Sequence, residues 1–198
     1  GIPISYSVGA KMIFGEMGQY EPGSEYFIYE ADEFDRNFLA FHPFLSLITG
    51  VDWDHPDIYP TRDDYEQAFR QFVQQSDQTV LWQSDASSLK AQETQNISVL
   101  DDDDPRITTL NLPGLVNRRD AWQVIQAAQT ISNTSLDELV THMNLFPGLS
   151  RRFEQIIEGL YSDYAHPPPK IRGALQLAHE IAGPNVVVVY EGLHNTRQ

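Results

Sequence analysis

The chain has 198 residues, 41% of them hydrophobic, no cysteine and a formal net charge of −15. That length suits one full domain or one domain with part of a second, and the apolar share supports a packed core rather than a disordered chain. The missing thiols exclude disulfides, thiolate nucleophiles and cysteine zinc sites, and the acidic balance excludes a nucleic-acid backbone as partner, which needs clustered Lys and Arg.

In chain order, the turn signal Pro22-Gly23 precedes residues 25–30 (EYFIYE), whose aromatic and β-branched run predicts a buried strand. Residues 44–51 (FLSLITGV) predict a second strand, nearly continuous in apolar residues as parallel strands covered on both faces are. Tyr65, Ala68, Phe69, Phe72 and Val73 recur at helical spacing and predict a helix over 61–74. Thr61 is its N-cap, with Asp63 and Asp64 in the first turn where the helix dipole favours negative charge. Residues 79–82 (TVLW) predict a short strand, and 83–106 read as polar connection containing the run 101–104 (DDDD), a solvated turn before a metal site. Residues 107–112 alternate like a strand.

Helices are predicted over 118–131 and 135–144, the second with Ser135 and Glu138 at capping-box spacing. Pro147-Gly148 ends it, and 160–164 predict another short strand. The triple proline 167–169 opens a helix that runs to about 181, where Gly183-Pro184 stops it. Residues 185–190 (NVVVVY) read as the clearest strand of all. Strand, helix and strand at this spacing predict a βαβ unit, the start of a second α/β domain, so the polypeptide is expected to continue past Gln198. No apolar run spans a bilayer and no basic-then-apolar leader is seen, so the expectation is a soluble, cytoplasmic protein with no membrane partner.

Four constellations can carry chemistry. Residues 30–35 (EADEFD) follow a predicted strand at its carboxyl end, where open α/β sheets bind ligands. Four carboxylates in six residues repel unless solvated or sharing a cation, and Mg²⁺ accepts one or two carboxylates with phosphate oxygens and waters; a polar loop capping the next helix is the plainer alternative. Residues 52–57 (DWDHPD) also follow a strand, and His55 beside carboxylates suits either a metal ligand or a surface histidine. If both strands share a parallel sheet, both loops fall on one edge. Residues 148–154 (GLSRRFE) pair Arg151 with Arg152, forks suited to phosphate, to a ribose edge or to an interdomain salt bridge. Residues 161–168 (YSDYAHPP) bring Asp163 and His166 after the next strand, able to face the same cleft from its other side.

Read together in this order, these segments resemble the Mur ligases. The carrying residues are 30–35 (EADEFD, family EADESD), Asp54-His55 (family ADH), 115–121 (LVNRRDA, family RHNxxNA), 150–154 (SRRFE, family GRRF) and 162–167 (SDYAHP, family DDYGHHP). The resemblance runs in one register from about Ile2 to Arg197. It implies an α/β architecture: a central ATPase-type domain over 1–154, mostly parallel sheet with flanking helices, then the first βαβ of a Rossmann-like C-terminal domain over 155–198. It implies an ATP- and Mg²⁺-dependent enzyme that forms an amide through an acyl phosphate, with UDP-N-acetylmuramate and L-alanine as substrates. A recycled tripeptide as acceptor, or a catalytically dead module binding a nucleotide sugar or a partner protein, are the alternatives.

By position, Glu30 and His55 resemble Mg²⁺ ligands, and Asn117 and Asp120 the pair near adenine. Arg152, with Arg151 beside it, resembles the ATP-contacting arginine, so that Glu30, His55 and Arg152 form the implied catalytic set. Asp163 resembles the ribose contact, and His166 and Arg197 fall on the substrate side. Val116 stands where the family has histidine, Asp120 where it has asparagine, and 191–193 (EGL) where it has Q-P-H. No G-x-x-x-x-G-K-[ST] occurs, so the phosphate loop is expected outside these residues and the chain alone is expected to be inactive.

Overall fold

A computed structural model describes residues 2–10 and 15–190. The chain is α/β, and its centre is a three-stranded parallel sheet in the order β4(Leu45–Ile48), β5(Gln78–Trp82), β6(Ile97–Leu100). Alternation along β5 feeds two cores. Leu81 points to one face, among Phe38, Ile48, Phe69 and Phe72, while Val80 and Trp82 point to the other, among Leu110, Trp122 and Ile125.

On the first face lie α1(Arg62–Gln74) and α2(Gln83–Leu89). The Thr61 hydroxyl accepts from the Asp64 amide at 3.1 Å, and the Asp64 carboxylate accepts from the Thr61 amide at 3.1 Å, so two orphan donors are satisfied at once. The predicted apolar stripe of α1 is buried, its rings packed on Phe38 with centroids 5.1 Å (Phe69) and 4.9 Å (Phe72) away. On the second face lie α3(Leu115–Ile131) and α4(Leu136–Met143), where the Ser135 hydroxyl accepts from the Glu138 amide as its spacing predicts. Gln123, fully buried on α3, donates to the carbonyls of Ile48 at 2.9 Å and Val80 at 2.8 Å and so ties the helix to two strands.

A second sheet has the order β2(Gly18–Gln19), β1(Ile4–Ser7), β3(Tyr26–Tyr29), with β1 and β3 parallel. β3 is the strand predicted at 25–30, but it is not buried: Phe27 is 61% and Ile28 51% exposed. It is an edge strand, and among the described residues no helix covers it in the way α1 and α3 cover β5. β4 begins a different sheet, so the expectation that the two acidic loops leave one sheet edge is corrected.

Further differences have local causes. Residues 107–112 are not a strand; Pro105–Thr109 form a 3₁₀ helix capped by Asp104, which places Ile107 and Leu110, three apart, on one buried side. The polar connection 83–106 contains α2 and β6, neither predicted. β8(Leu160–Ser162) pairs antiparallel with an unpredicted strand, β7(Glu154–Ile157), as a hairpin. α5(Pro168–Ala182) forms as predicted, with Pro at its first positions and Gly183 at its end. Residues 185–190 form no ladder, and Val187 and Val189 are 91% and 97% exposed, so the predicted βαβ unit is not closed among the described residues. Among the described residues no helix is long and apolar enough to cross a membrane.

Candidate functional site

The carboxyl ends of β4 and β5 open into a cleft of about 630 Å³, closed on its far side by the β7–β8 hairpin region and the start of α5. The sheet side contributes Glu33, Asp52, Asp54, Ser84 and Asp85; α3 contributes Asn117, Arg119 and Asp120; the far side contributes Arg152, Asp163 and Lys170. Topology therefore does what the carboxyl-end rule expects, bringing loops from successive strands to one place.

The acidic segment 30–35 is divided among separate tasks. Glu30 is exposed and its carboxylate accepts from the Gly9 amide at 2.6 Å; a Cβ on Gly9 would lie 3.2 Å from that carboxylate, so the absence of a side chain permits the approach. Asp32 caps the following turn by accepting from the Phe34 amide at 2.9 Å. Glu33 reaches His55: Oε1 lies 3.3 Å from Nε2, while Asp54 Oδ2 lies 3.8 Å from the same nitrogen. The two acidic loops thus meet through Glu33 and His55 although their strands belong to different sheets.

His55 is buried and held in a left-handed backbone conformation, φ 55°, with its carbonyl accepting from the amides of Ile58 and Tyr59 and its ring edge-on to Phe34 at 5.2 Å. Its Nδ1 is buried with no hydrogen-bond partner among the described residues. A histidine with one nitrogen on a carboxylate and the other unpartnered has the donor arrangement of a metal ligand. Glu30 shows no such arrangement, since one of its carboxylate oxygens is taken by the Gly9 amide, and among the described residues no group of three or more His, Asp or Glu is arranged to hold a metal ion by itself. A Mg²⁺ ion needs fewer protein ligands than that, because phosphate oxygens and water complete its shell.

On α3, Asn117 donates from Nδ2 to the Pro113 carbonyl at 2.7 Å. Asp120 is half-buried, and burial pushes its carboxyl up to about 6, opposed by the neighbouring Arg119 charge. Asp85, accepting from the Val51 amide at 2.9 Å, is likewise pushed up to about 6 by burial. On the far side Asp163 organises its own loop by accepting from the amides of Phe153 (2.8 Å) and Ala165 (2.6 Å). The guanidinium groups of Arg151 and Arg152 stand 5.0 and 5.7 Å from the centre of the Tyr164 ring, and Arg152 lines the cleft. His166 faces its own loop, its Nδ1 3.0 Å from the Tyr164 carbonyl oxygen.

The structure therefore gathers Asn117, Asp120, Arg152 and Asp163 around one cleft, with His55 reaching it through Glu33. Glu30, Arg151 and His166 stand back from its lining, and Arg197 and residues 191–193 lie outside the described residues. Ser84, Asp85, Arg119 and Lys170 were not singled out from the sequence. Arg119 lies 4.3 Å over the Trp82 ring and pairs with Asp102, which also accepts from the Ser84 amide at 2.8 Å and hydroxyl at 3.0 Å. The acidic run 101–104 is thus partly spent on holding an arginine and capping α2, not left as a free turn. Asp85 had a signal: it follows β5 directly, at the same sheet edge as the acidic loop after β4.

No family model matches the chain. It is 29% identical over 220 residues to the UDP-N-acetylmuramate–L-alanine ligase of Lactobacillus johnsonii, covering 96% of this chain and 49% of that relative. Among solved structures it resembles the UDP-N-acetylmuramate-alanine ligase of Thermotoga maritima with a TM-score of 0.71 at 23% identity, covering 91% of this chain and 48% of that one. A murein peptide ligase of Psychrobacter arcticus aligns with a TM-score of 0.59 at 18% identity, over 90% and 49% of the two chains. The chain spans about half the length of the curated relatives it matches.

Proposed function

We propose, for a chain that belongs to the Mur ligase family, that the whole protein is an ATP-dependent ligase of peptidoglycan precursor synthesis, joining L-alanine to UDP-N-acetylmuramate. The observation that carries this is the cleft at the ends of β4 and β5, which Asn117 and Asp120 of α3 line together with Arg152 and Asp163 from two other segments. In such a reaction the substrate carboxylate takes the terminal phosphoryl group of ATP, releasing ADP. The amine of L-alanine then attacks the acyl carbon, forming the amide and releasing phosphate. No protein nucleophile is required, which suits a cleft of carboxylates, amides and guanidinium groups.

Residues 1–154 would form the nucleotide-binding part and 155–198 the start of the amino-acid-binding part. Asn117 and Asp120 would face the base, Arg152 with Arg151 the phosphates through planar forks, and Asp163 the ribose. His166 and Arg197 would lie toward the acceptor. His55, oriented by Glu33 and Asp54, would offer Nδ1 to Mg²⁺, with Glu30 released from Gly9 to join it. When bound, Mg²⁺ neutralises charge on the transferring phosphoryl group.

The test is ADP release by the full-length protein given ATP, Mg²⁺, UDP-N-acetylmuramate and either L-alanine or an L-alanine-led tripeptide. Turnover with L-alanine is expected. Turnover with the tripeptide alone would reassign the acceptor, and none with either would sink the ligase reading. His55→Ala should raise the Mg²⁺ concentration needed for half-maximal rate; an unchanged requirement would remove His55 from the metal site.

A further inference from the structure

α3 and α5 meet along one wall of the cleft, and their contact is closely built. Arg118 Nη1 donates to Glu180 Oε1 at 2.7 Å and Nη2 to Oε2 at 3.1 Å, a two-pronged pair between residues far apart in the chain. Glu180 Oε1 also accepts from the Gly114 amide at 3.3 Å, and Arg118 donates to the Leu112 carbonyl at 2.9 Å. An isolated surface pair is worth little, because water screens it and two long side chains must be immobilised. This pair differs in being shared with backbone groups at both ends and in a half-buried arginine, 20% exposed in its side chain.

Beneath it two glycines let the helices approach. A Cβ on Gly114, which has φ +83°, would lie 3.3 Å from Leu177, and one on Gly173 would lie 3.1 Å from Val116 Cγ2. Val116, one of the departures from the Mur pattern, is thereby given a role: its side chain packs on α5. Asn117 and Asp120 flank Arg118 on α3, while Arg152 and Asp163 precede α5 on the other side. Whatever sets the α3–α5 contact sets the distance between these two groups.

We propose that Arg118 and Glu180 are positioning residues, whose ion pair pins α5 against the start of α3 and fixes how Arg152 and Asp163 stand across the cleft from Asn117 and Asp120. The pair touches no reacting atom; it acts through the width of the cleft. The structural part of this proposal does not depend on the ligase reading, and only its kinetic part does.

The chain contains no cysteine, so spin labels placed through Ser87→Cys in α2 and Glu158→Cys in the hairpin turn report on the two sides of the cleft in the ligand-free full-length protein, any cysteines elsewhere being replaced. The expected result is one narrow distance distribution for the otherwise unaltered protein, a longer and broader one for Arg118→Glu or Glu180→Arg, and recovery in the R118E/E180R exchange. Glu180→Gln, which keeps the side-chain shape, should move the distribution in the same direction by less, and it decides the question if a reversal does not fold. An unchanged distribution in the folded single variants overturns the proposal, as does an exchange that folds but fails to restore it. In ligation assays a single reversal should raise the KM for ATP about tenfold with kcat within about twofold, and the exchange should reverse this. A loss of kcat at unchanged KM would indicate a merely structural pair and overturn the positioning role. If the parent shows no ligation at all, the ligase reading falls while the distance result still stands.

Discussion

β5 and β3 are both short runs of apolar and aromatic residues in parallel ladders, yet one is sealed and the other open. In β5, Val80, Leu81 and Trp82 are at most 2% exposed, whereas in β3 Phe27, Ile28 and Tyr29 are 61%, 51% and 39% exposed. The difference does not lie in the strands. β5 is the middle strand of its sheet, with α1 and α2 on one face and α3 and α4 on the other; β3 is an edge with neither face covered in that way among the described residues. Apolar composition therefore states a tendency to be buried, and neighbours decide whether it is realised.

Substitutions can break this contrast or sharpen it. Leu81→Ala should cost the most, about 3–4 kcal/mol, because it removes a fully buried side chain from a core that cannot collapse around the gap. Denaturant unfolding measures it, and a cost under about 1 kcal/mol would mean that the central sheet is no better packed than the outer one. Gln123→Leu comes next, at about 1–2 kcal/mol, since the Ile48 and Val80 carbonyls lose the donor that ties α3 to the sheet. Stability unchanged by that substitution would assign the α3–sheet contact to apolar packing alone.

Asp120→Asn tests the same idea through pH. Burial raises the Asp120 carboxyl from 3.8 to about 6, so the folded protein keeps a proton that the unfolded chain releases. Asp120 therefore lowers stability progressively as pH rises from about 4 to about 6, and its full cost is present above that. The Asn variant should match the parent near pH 4 and exceed it by on the order of 1 kcal/mol at pH 7, discounted for the solvent that reaches a half-buried group. Thermal melts at the two pH values decide it; an advantage independent of pH would remove burial as the cause. Phe27→Ala should have the smallest effect, about 0.5 kcal/mol or less, because little area leaves water there on folding. A loss comparable with that at Leu81 would show that β3 is covered in solution.

Legibility in the sequence followed the range of the interactions involved. α1 was readable to its cap because Thr61, Asp64 and the stripe from Tyr65 to Val73 lie within a few turns of one another. α3, α4 and α5 were readable for the same reason. α2 was not, since QSDASSL is polar and buries only Ala86 and Leu89. Residues 107–112 misled because alternation and a three-residue period share positions over so short a span. The run 185–190 has the strongest strand composition, but a strand is completed only by a partner across the ladder.

The candidate site divides the same way. The sequence by itself determined which residue types stand in which order: carboxylates after β3 and β4, Asn117 and Asp120 at the start of α3, the arginine pair, and Asp163 before a proline-led helix. Those are properties of segments: local chemistry is enough to read the carboxylate runs, the arginine pair and Asp163, while Asn117 and Asp120 stood out through the resemblance to the Mur ligases. Only the tertiary structure decided that Glu33 rather than Glu30 meets His55, that Asp102 serves Arg119, and that Arg118 locks onto Glu180. Each of these is a contact between residues distant in the chain, chosen by the packing of helices on a sheet. A carboxylate takes whichever donor the fold brings within hydrogen-bonding reach, and no spacing along the sequence specifies that neighbour.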